Sequence, residues 1–312
     1  MENLLFSFNV LLPLIIEIGL GFMLKATGII DAHTSKAVNK MVFKLFLPVL
    51  LFNNLYTAKV SDAFNPRLMT FAIVAVLVLV GILCLVVPLL EKEKSKRGAA
   101  IQGMFRSNFA LFGVPLSISI AGEAIRSTVS VAVAVVVFIF NILAVVVLEV
   151  YNGKNPDFKS IFKGILKNQL ILACVLGAVA LLTGIKFPTP IDKTLSAIAS
   201  VATPLGLIIL GTSISLPSVK QNAKRLIWIL GGKLIIIPVI VLAVAIAMGF
   251  RGGELVILLA VFASPTAISS YPMAVEMGHD GDLAAQIVMF GTIACIFTMF
   301  LFIFALKQIG VL

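Results

Sequence analysis

Two apolar stretches of the sequence carry prolines together with short polar side chains, a combination that could hold a small ligand. Residues 263–278 read ASPTAISSYPMAVEMG, and residues 105–122 read FRSNFALFGVPLSISIAG. A proline removes a backbone donor and clashes with the preceding helical turn, so we expect a helix to break in each stretch. A break in hydrocarbon is tolerated only where protein or a water-filled cavity surrounds it, which predicts a binding site. The alternative is two proline-kinked helices that serve packing alone.

The two stretches occupy corresponding places in the two halves of the chain. Identical residues recur at an offset of 157 positions in the stretches themselves and of 156 positions upstream: Phe105 and Phe262, Ser107 and Ser264, Pro115 and Pro272, Gly21 and Gly177, Thr27 and Thr183, Gly28 and Gly184, Pro48 and Pro204. Paired interruptions in two repeats are typical of a transporter binding site near the middle of the bilayer.

The composition is that of an integral membrane protein. Hydrophobic residues make up 60% of the chain and charged residues 12%, with a mean hydropathy of +1.14. A soluble domain carries about 25% charged residues, and the apolar runs are too long for barrel strands. This excludes a soluble enzyme and a nucleic-acid-binding protein. The three cysteines and two histidines lack metal-ligand spacing, so we expect no metal, no cofactor and no enzymatic step.

We predict an all-α integral membrane protein with ten transmembrane helices. The ten spans cover residues 4–25, 37–57, 67–90, 98–121, 126–150, 161–184, 192–215, 223–249, 253–277 and 282–308. Because five is an odd number, the second repeat must enter the membrane from the opposite side, which makes the repeats inverted. Residues 1–150 form the first repeat, residues 151–160 a cytoplasmic linker and residues 161–312 the second repeat.

The distribution of basic residues predicts the orientation. The loops after the odd-numbered spans, counted together with the adjoining span ends, hold 14 Lys and Arg, whereas the opposite side holds 7. By the positive-inside rule the first side is cytoplasmic, so both termini lie on the non-cytoplasmic side. The segment EKEKSKR at residues 91–97 is interpreted as a topology anchor rather than a lipid site, because charges of both signs alternate in it.

Four segments carry a resemblance to a known family. RSNFALFGVPLSISIAG, SPTAISSYPMAVEMGHDGDLAAQIVMFGTIACIFTM, KLFLPVLLFNNL and ATPLGLIILGTSIS resemble segments of the auxin efflux carrier family, which includes the plant PIN-like carriers. The short linker after span 5 is similar to that of bacterial members. The resemblance implies a fold similar to sodium/proton antiporters and bile-acid symporters, in which broken spans 4 and 9 cross. Pro272 departs from the family pattern, where a small or aliphatic residue is common.

The resemblance also implies a mechanism. Spans 3–5 and 8–10 would form a mobile transport domain, and spans 1, 2, 6 and 7 a scaffold that forms a homodimer within the lipid bilayer. Substrate would move by elevator-type alternating access across the cytoplasmic membrane. Family members carry organic anions, which are auxin in plants and carboxylates or dicarboxylates such as malate and malonate in bacteria. We therefore expect a secondary transporter for a small organic anion, with a proton or sodium as candidate coupling ion.

The second halves of the broken spans begin with unpaired N–H groups at the positive end of the helix dipole, which favours a carboxylate. The candidate substrate-binding residues are Arg106, Asn108, Gly113, Pro115, Pro265, Thr266, Ser269, Ser270 and Tyr271. By the resemblance, Asn108 matches the family's asparagine in span 4 and Pro265 the first proline of span 9. Each short polar side chain has an alternative role, which is to mend broken backbone bonds.

Two charged residues in the spans have open roles. Arg106 lies roughly 12 Å into span 4, where it attracts the anion or, alternatively, snorkels to the interface. Glu17 in span 1 is a candidate coupling group, or a structural partner of Lys44.

Neither break holds a carboxylate, which disfavours cation antiport. Sodium-coupled symport of the bile-acid type, uniport and a non-transporting ligand sensor stay open as alternatives.

Overall fold

The computed structural model describes residues 2–57, 65–151, 162, 164, 166–213 and 216–312, and these residues form helices and connecting turns without a strand. Beyond Tyr151, the predicted linker at residues 151–160 lies outside the described residues. In the first half the helices are α1 (Glu2–Ala26), α2 (Ala32–Met41), α3 (Leu47–Tyr56), α4 (Pro66–Leu90), α5 (Lys94–Phe105), α6 (Phe109–Ala121) and α7 (Arg126–Val150).

In the second half the helices are α8 (Gln169–Thr183), α9 (Thr189–Thr212), α10 (Leu216–Gly231), α11 (Ile237–Ala247), α12 (Gly252–Ala263), α13 (Ser270–Glu276) and α14 (Gly281–Gln308). Two π-helical turns keep neighbouring helices continuous. Val42–Phe46 joins α2 to α3, and Gly232–Ile236 joins α10 to α11.

Several helices begin at a side-chain cap, in which an Asp or Asn oxygen accepts a backbone N–H that has no partner within the helix. The capping residues are Asp31, Asn65, Asn168 and Asp280. These caps place the helix starts within the connecting segments and leave the apolar runs inside the helices.

Five helical segments of the described residues are long and apolar enough to cross a membrane. They are Pro66–Leu90, Glu123–Val150, Thr189–Thr212, Pro217–Ala247 and Gly281–Gln308. A sixth is added if Lys94–Leu111 and Pro115–Ala121, which meet at 64°, count as one bent span. The chain is therefore a multi-pass helical membrane protein, and the ten spans stay a prediction.

The chain leaves the helical conformation once in each of the two proline-containing stretches. The first break covers residues 106–108, between α5 and α6, and the second covers residues 264–269, between α12 and α13. Ser264 is extended (φ −65°, ψ 153°) because a residue that precedes a proline is disfavoured in the α conformation, and Pro265 follows it. The first break has no proline. Its Ser107 and Asn108 belong to the residue types whose side chains compete for helical hydrogen bonds.

Pro115 and Pro272 have different positions relative to their helices. Pro272 lies in the first turn of α13, where its missing N–H would have had no helical partner in any case. Pro115 lies inside α6 and accompanies the 64° change of direction between Lys94–Leu111 and Pro115–Ala121. The change of direction lies between Leu111 and Pro115, at the proline that the sequence singled out.

Two helix crossings, one from each half of the chain, show the same close contact between a glycine and a backbone carbonyl. Helix α1 packs along α9, where a Cβ on Gly21 would overlap the carbonyl oxygen of Ile208. Helix α8 packs along α3, where a Cβ on Gly177 would lie 2.9 Å from the carbonyl oxygen of Phe52. Gly177 lies 156 positions after Gly21 in the sequence, and Ile208 lies 156 positions after Phe52. Glycine lets the two backbones approach closely at both crossings.

Candidate functional site

The two breaks lie side by side in the centre of the molecule. The backbone N–H of Asn108 donates to the carbonyl of Pro265 at 2.8 Å, and this bond joins one break directly to the other. Gln102, which is completely buried, donates from Nε2 to the carbonyl of Ser270 at 2.9 Å. On either side of these bonds, α5 contacts α13 and α6 contacts α12. Four half-helices therefore converge on one point.

Side chains cap the carbonyl groups that the second break leaves without helical partners. The carbonyl groups of residues 260–263, the last four of α12, each accept a hydrogen bond from a side chain. In chain order the donors are Ser264 Oγ (2.6 Å), Ser107 Oγ, Lys233 Nζ (3.5 Å) and Cys295 Sγ (3.5 Å). At the first break Thr266 Oγ1 donates to the carbonyl of Gly103 at 2.7 Å. Each break thus supplies a hydroxyl to the half-helix of the other, which makes the unwound backbone tolerable in a membrane.

A cavity of about 190 Å³ opens beside the two breaks. Its walls come from α3, α7 and α9, from both breaks and from the start of α6. Its polar lining residues are Asn54, Arg106, Ser107, Asn108, Asn141, Thr203 and Ser269. Much of the remaining wall is apolar, as at Leu50, Val137 and Ile268. Among the described residues that line it, Arg106 carries the only charge.

Arg106 is held at the cavity wall by neighbouring side chains. Its side chain is buried, with 3% of the residue exposed, which excludes the snorkelling alternative. One terminal nitrogen donates to Asn141 Oδ1, and the other lies 2.8 Å from Met273 Sδ. The Nε–H is buried and has no hydrogen-bond partner in the structure. No carboxylate among the described residues pairs with the guanidinium. A buried cation without a counter-charge favours an anionic ligand.

The N-terminal end of α6 faces the same cavity. Asn108, Ala110 and Leu111 line it. Leu111 N–H bonds to the carbonyl of Asn108 at 3.2 Å. The first turn of a helix carries N–H groups without helical partners and a positive partial charge, so this end adds to the field of Arg106.

The structure brings three of the predicted substrate-binding residues to the cavity, namely Arg106, Asn108 and Ser269. Pro265, Thr266 and Ser270 are buried at or beside the crossing point and do not line the cavity. The Thr266 hydroxyl mends the broken backbone, which is the alternative role that the sequence left open.

The other three predicted residues lie elsewhere or are described only in part. Tyr271 packs in an apolar cluster with Ile18 and Leu207 and does not line the cavity. Pro115 is exposed on α6. Gly113 belongs to residues 112–114, of which the structure describes only the helical backbone.

The sequence reasoning missed Asn54, Asn141 and Thr203. Asn141 is an isolated polar residue in the apolar run of α7 and also donates to the carbonyl of Val137 at 2.7 Å. A polar side chain within such a run is costly in a membrane, and this signal alone could have identified it. Asn54 offers a weaker signal because it lies near the end of α3. Thr203 also offers a weaker signal, because a threonine hydroxyl within a helix can bond to the backbone of its own helix.

Glu17 lies on α1 and does not line the cavity. Its Oε2 atom is buried without a hydrogen-bond partner. Lys44, the partner suggested by the sequence, is exposed and forms no ion pair with it in the structure. The role of Glu17 as a coupling or structural charge stays a prediction.

A larger concave surface of about 1070 Å³ lies between α4 on one side and α10 and α11 on the other. Its lining is almost wholly aliphatic, and many of these side chains are exposed, for example Val78, Ile82 and Ile240. In a membrane protein such a face contacts lipid chains. It offers no cluster of polar groups for a hydrophilic ligand, so the smaller cavity is the candidate site.

Comparison with known proteins indicates a membrane transporter. A family model described as "Membrane transport protein" matches residues 6–163 and 158–303. An uncharacterised transporter of Methanothermobacter thermautotrophicus is 22% identical over 300 residues, which cover 92% of this chain and 94% of that protein. An uncharacterised transporter of Methanocaldococcus jannaschii is 23% identical over 295 residues, which cover 91% and 94%. These matches point to a transporter and away from an enzyme. The chain therefore belongs to the membrane transport protein family, the family of the auxin efflux carriers.

Proposed function

We propose that the chain is a secondary transporter for a small organic anion, a carboxylate or dicarboxylate, which binds in the cavity beside the two breaks. The observation that carries the proposal is the buried guanidinium of Arg106 in the cavity wall, without a carboxylate partner in the described part of the chain. An anion that enters the cavity gains a charge-assisted hydrogen bond and relieves the cost of the buried cation. The apolar wall accommodates the carbon skeleton of the substrate.

Transport proceeds by elevator-type alternating access between two domains. The scaffold comprises α1–α3, α8 and α9, and the mobile transport domain comprises α4–α7 and α10–α14. Two features support this division. The pairs α1 with α9 and α3 with α8 pack closely within the scaffold, and the cavity has walls from both domains. A substrate at such a boundary is carried by the mobile domain past a fixed wall.

The ten spans form two inverted repeats, with both termini on the non-cytoplasmic side of the cytoplasmic membrane. The duplicated Gly21 and Gly177 contacts support the repeat relation, because each repeat contributes one helix to each crossing. The scaffold helices provide the surface for a homodimer. A proton or sodium ion is the candidate coupling ion, and uniport driven by the membrane potential is the alternative.

The first experiment is a thermal-shift screen of purified protein with mono- and dicarboxylates, followed by flux measurements in proteoliposomes. We expect one or more carboxylates to raise the melting temperature and to cross the membrane. Stabilisation by cations or neutral sugars alone would contradict the anion proposal. Ligand binding without flux would favour the sensor alternative, and flux that requires a sodium gradient would favour sodium symport.

The second experiment tests the anion anchor. Arg106→Gln removes the charge and is expected to weaken carboxylate binding by at least about tenfold, since one lost charge-assisted hydrogen bond accounts for roughly 1.5–3 kcal/mol. Arg106→Lys keeps the charge without the planar fork and should bind with intermediate affinity. Arg126→Gln is the control, because Arg126 is exposed and pairs with Glu123 outside the cavity. An unchanged affinity in Arg106→Gln removes this residue from the site.

A further inference from the structure

A second buried basic side chain lies at the breaks, outside the cavity proposed for the anion. Lys233 is 1% exposed and lies near the middle of the membrane-capable segment Pro217–Ala247. Its Nζ atom approaches the carbonyl oxygen of Phe262 at 3.5 Å, in the last turn of α12. The π-helical turn Gly232–Ile236 holds the lysine in this position. Lys233 does not line the cavity that contains Arg106.

The surroundings of Lys233 are electron-rich and carry no formal negative charge. In the described part of the chain its ammonium forms no ion pair with a carboxylate. The neighbouring Cys295 on α14 donates from Sγ to the carbonyl of Ala263 at 3.5 Å. On another side, Met104 of α5 packs against Gly232. The negative end of the α12 dipole, formed by the carbonyls of its last turn, is therefore the main electrostatic partner of the ammonium.

Carbonyl groups at the C-terminal ends of interrupted helices coordinate sodium ions in other secondary transporters. Here a covalently attached ammonium lies at the corresponding end of α12. We propose that Lys233 supplies the cation that this break requires, so that the transport cycle takes up no sodium ion there. The inference about transport rests on the proposed function. The inference about the cation position concerns the folded protein alone.

The proposal predicts how the protein responds to sodium. The wild-type melting temperature in detergent is expected to be the same in sodium chloride as in choline chloride of equal concentration. Lys233→Met keeps an unbranched apolar side chain but leaves the carbonyls of α12 without a cation. We expect this variant to melt lower and to regain roughly 2–4 °C when sodium replaces choline, through preferential binding to the folded state.

The matched control is Lys44→Met. Lys44 also lies in a π-helical turn, Val42–Phe46, but its side chain is exposed. This variant should show no sodium response. If Lys233→Met does not fold, Lys233→Gln takes its place, and the wild-type measurement decides independently of both variants.

Specific stabilisation of the wild type by sodium would overturn the proposal. So would a folded Lys233→Met or Lys233→Gln protein that melts alike in sodium and choline, because the lysine would then merely fill space. Flux gives a second readout. The rate of carboxylate transport by the wild type should be equal in both salts. The rate of Lys233→Met in choline should be at least tenfold lower than that of the wild type and should recover in part with sodium. The melting readout needs no substrate, so failure of the anion proposal and failure of this one are distinguishable.

Discussion

Asn108 donates its backbone N–H to the carbonyl of Pro265 at 2.8 Å, and the two residues are 157 positions apart, the offset that also relates Ser107 to Ser264. The breaks therefore contact each other at equivalent positions. Because backbone groups make this contact, the side chain of Asn108 is left to line the cavity. The hydroxyls of Ser107 and Thr266 then cap the half-helix of the opposite break.

Thr266→Val tests the capping role, since valine has nearly the same shape and lacks the hydroxyl. The carbonyl of Gly103 would lose its partner in a buried place, and we expect a loss of about 1–3 kcal/mol in the free energy of unfolding. Substrate affinity should change little, because Thr266 does not line the cavity. Thermal unfolding and ligand binding measure the two effects. The control is Thr194→Val, at an exposed helical position. If Thr266→Val instead weakened substrate binding and left the stability unchanged, Thr266 would be a substrate contact.

Gly21→Ala tests the close crossing of α1 and α9. The added methyl group would overlap the carbonyl oxygen of Ile208, so the two helices must separate. Overpacking of this kind costs roughly 1–3 kcal/mol, which thermal unfolding in detergent would detect. Gly19→Ala is a matched control on the same helix, because a Cβ there meets no atom within 4 Å. Equal melting temperatures for the two variants would show that the crossing tolerates an added methyl group.

Asn141→Asp tests whether the charge of Arg106 is available to substrate. The change is nearly isosteric and places a carboxylate at the atom that accepts from the guanidinium. The new ion pair would neutralise the site, so we expect carboxylate affinity to fall by at least about tenfold while the protein stays folded. Asn168→Asp is the control, since aspartate also caps α8 and lies outside the cavity. Full affinity in Asn141→Asp would show that the anion binds elsewhere.

The sequence predicted the two breaks because their cause is partly local. Pro265 makes the residue before it extended, and the short polar residues of the first break favour non-helical backbone. The position of Pro272 in the first turn of α13, and of Pro115 at a bend, was not predictable from composition. A proline is tolerated in a first turn or at a bend, and only the neighbouring helices decide where the turn begins.

The site itself depends on contacts between residues that are distant in sequence. Thr266 bonds to Gly103, and Arg106 bonds to Asn141, so neither role follows from the local pattern. Asn54 and Thr203 line the cavity because α3 and α9 pack against the breaks. Pairings of this kind leave no trace in a single sequence, whereas the charge and depth of Arg106 were visible in it.

The acidic residue Glu93, which lies between α4 and α5, gives the stability of the fold a small dependence on pH. A hydrogen bond from Lys96 lowers the pKa of the Glu93 carboxyl below its ordinary value of 4.5. A carboxyl whose pKa is lower in the folded state stabilises the fold at any pH above its ordinary pKa. This contribution disappears as the pH falls through the lowered pKa of the folded state. Melting temperatures recorded between about pH 6 and pH 3 should fall less steeply in Glu93→Gln than in the wild type. Parallel curves would contradict the assignment. The difference is expected to be small because the carboxylate is half-exposed.

The loop after α4 is anchored to α10 by the ion pair between Glu91 and Arg225, whose Oε2 and Nε atoms are 2.6 Å apart. Glu91 is 3% exposed, so Glu91→Gln leaves a guanidinium facing a neutral group in a place with little water. We expect a loss of about 1–3 kcal/mol in the free energy of unfolding. Glu93→Gln is the control, because Glu93 also lies 2.6 Å from Arg225 but is half-exposed, and such pairs contribute about 0–1 kcal/mol. Equal losses in the two variants at neutral pH would show that burial does not strengthen the Glu91 pair.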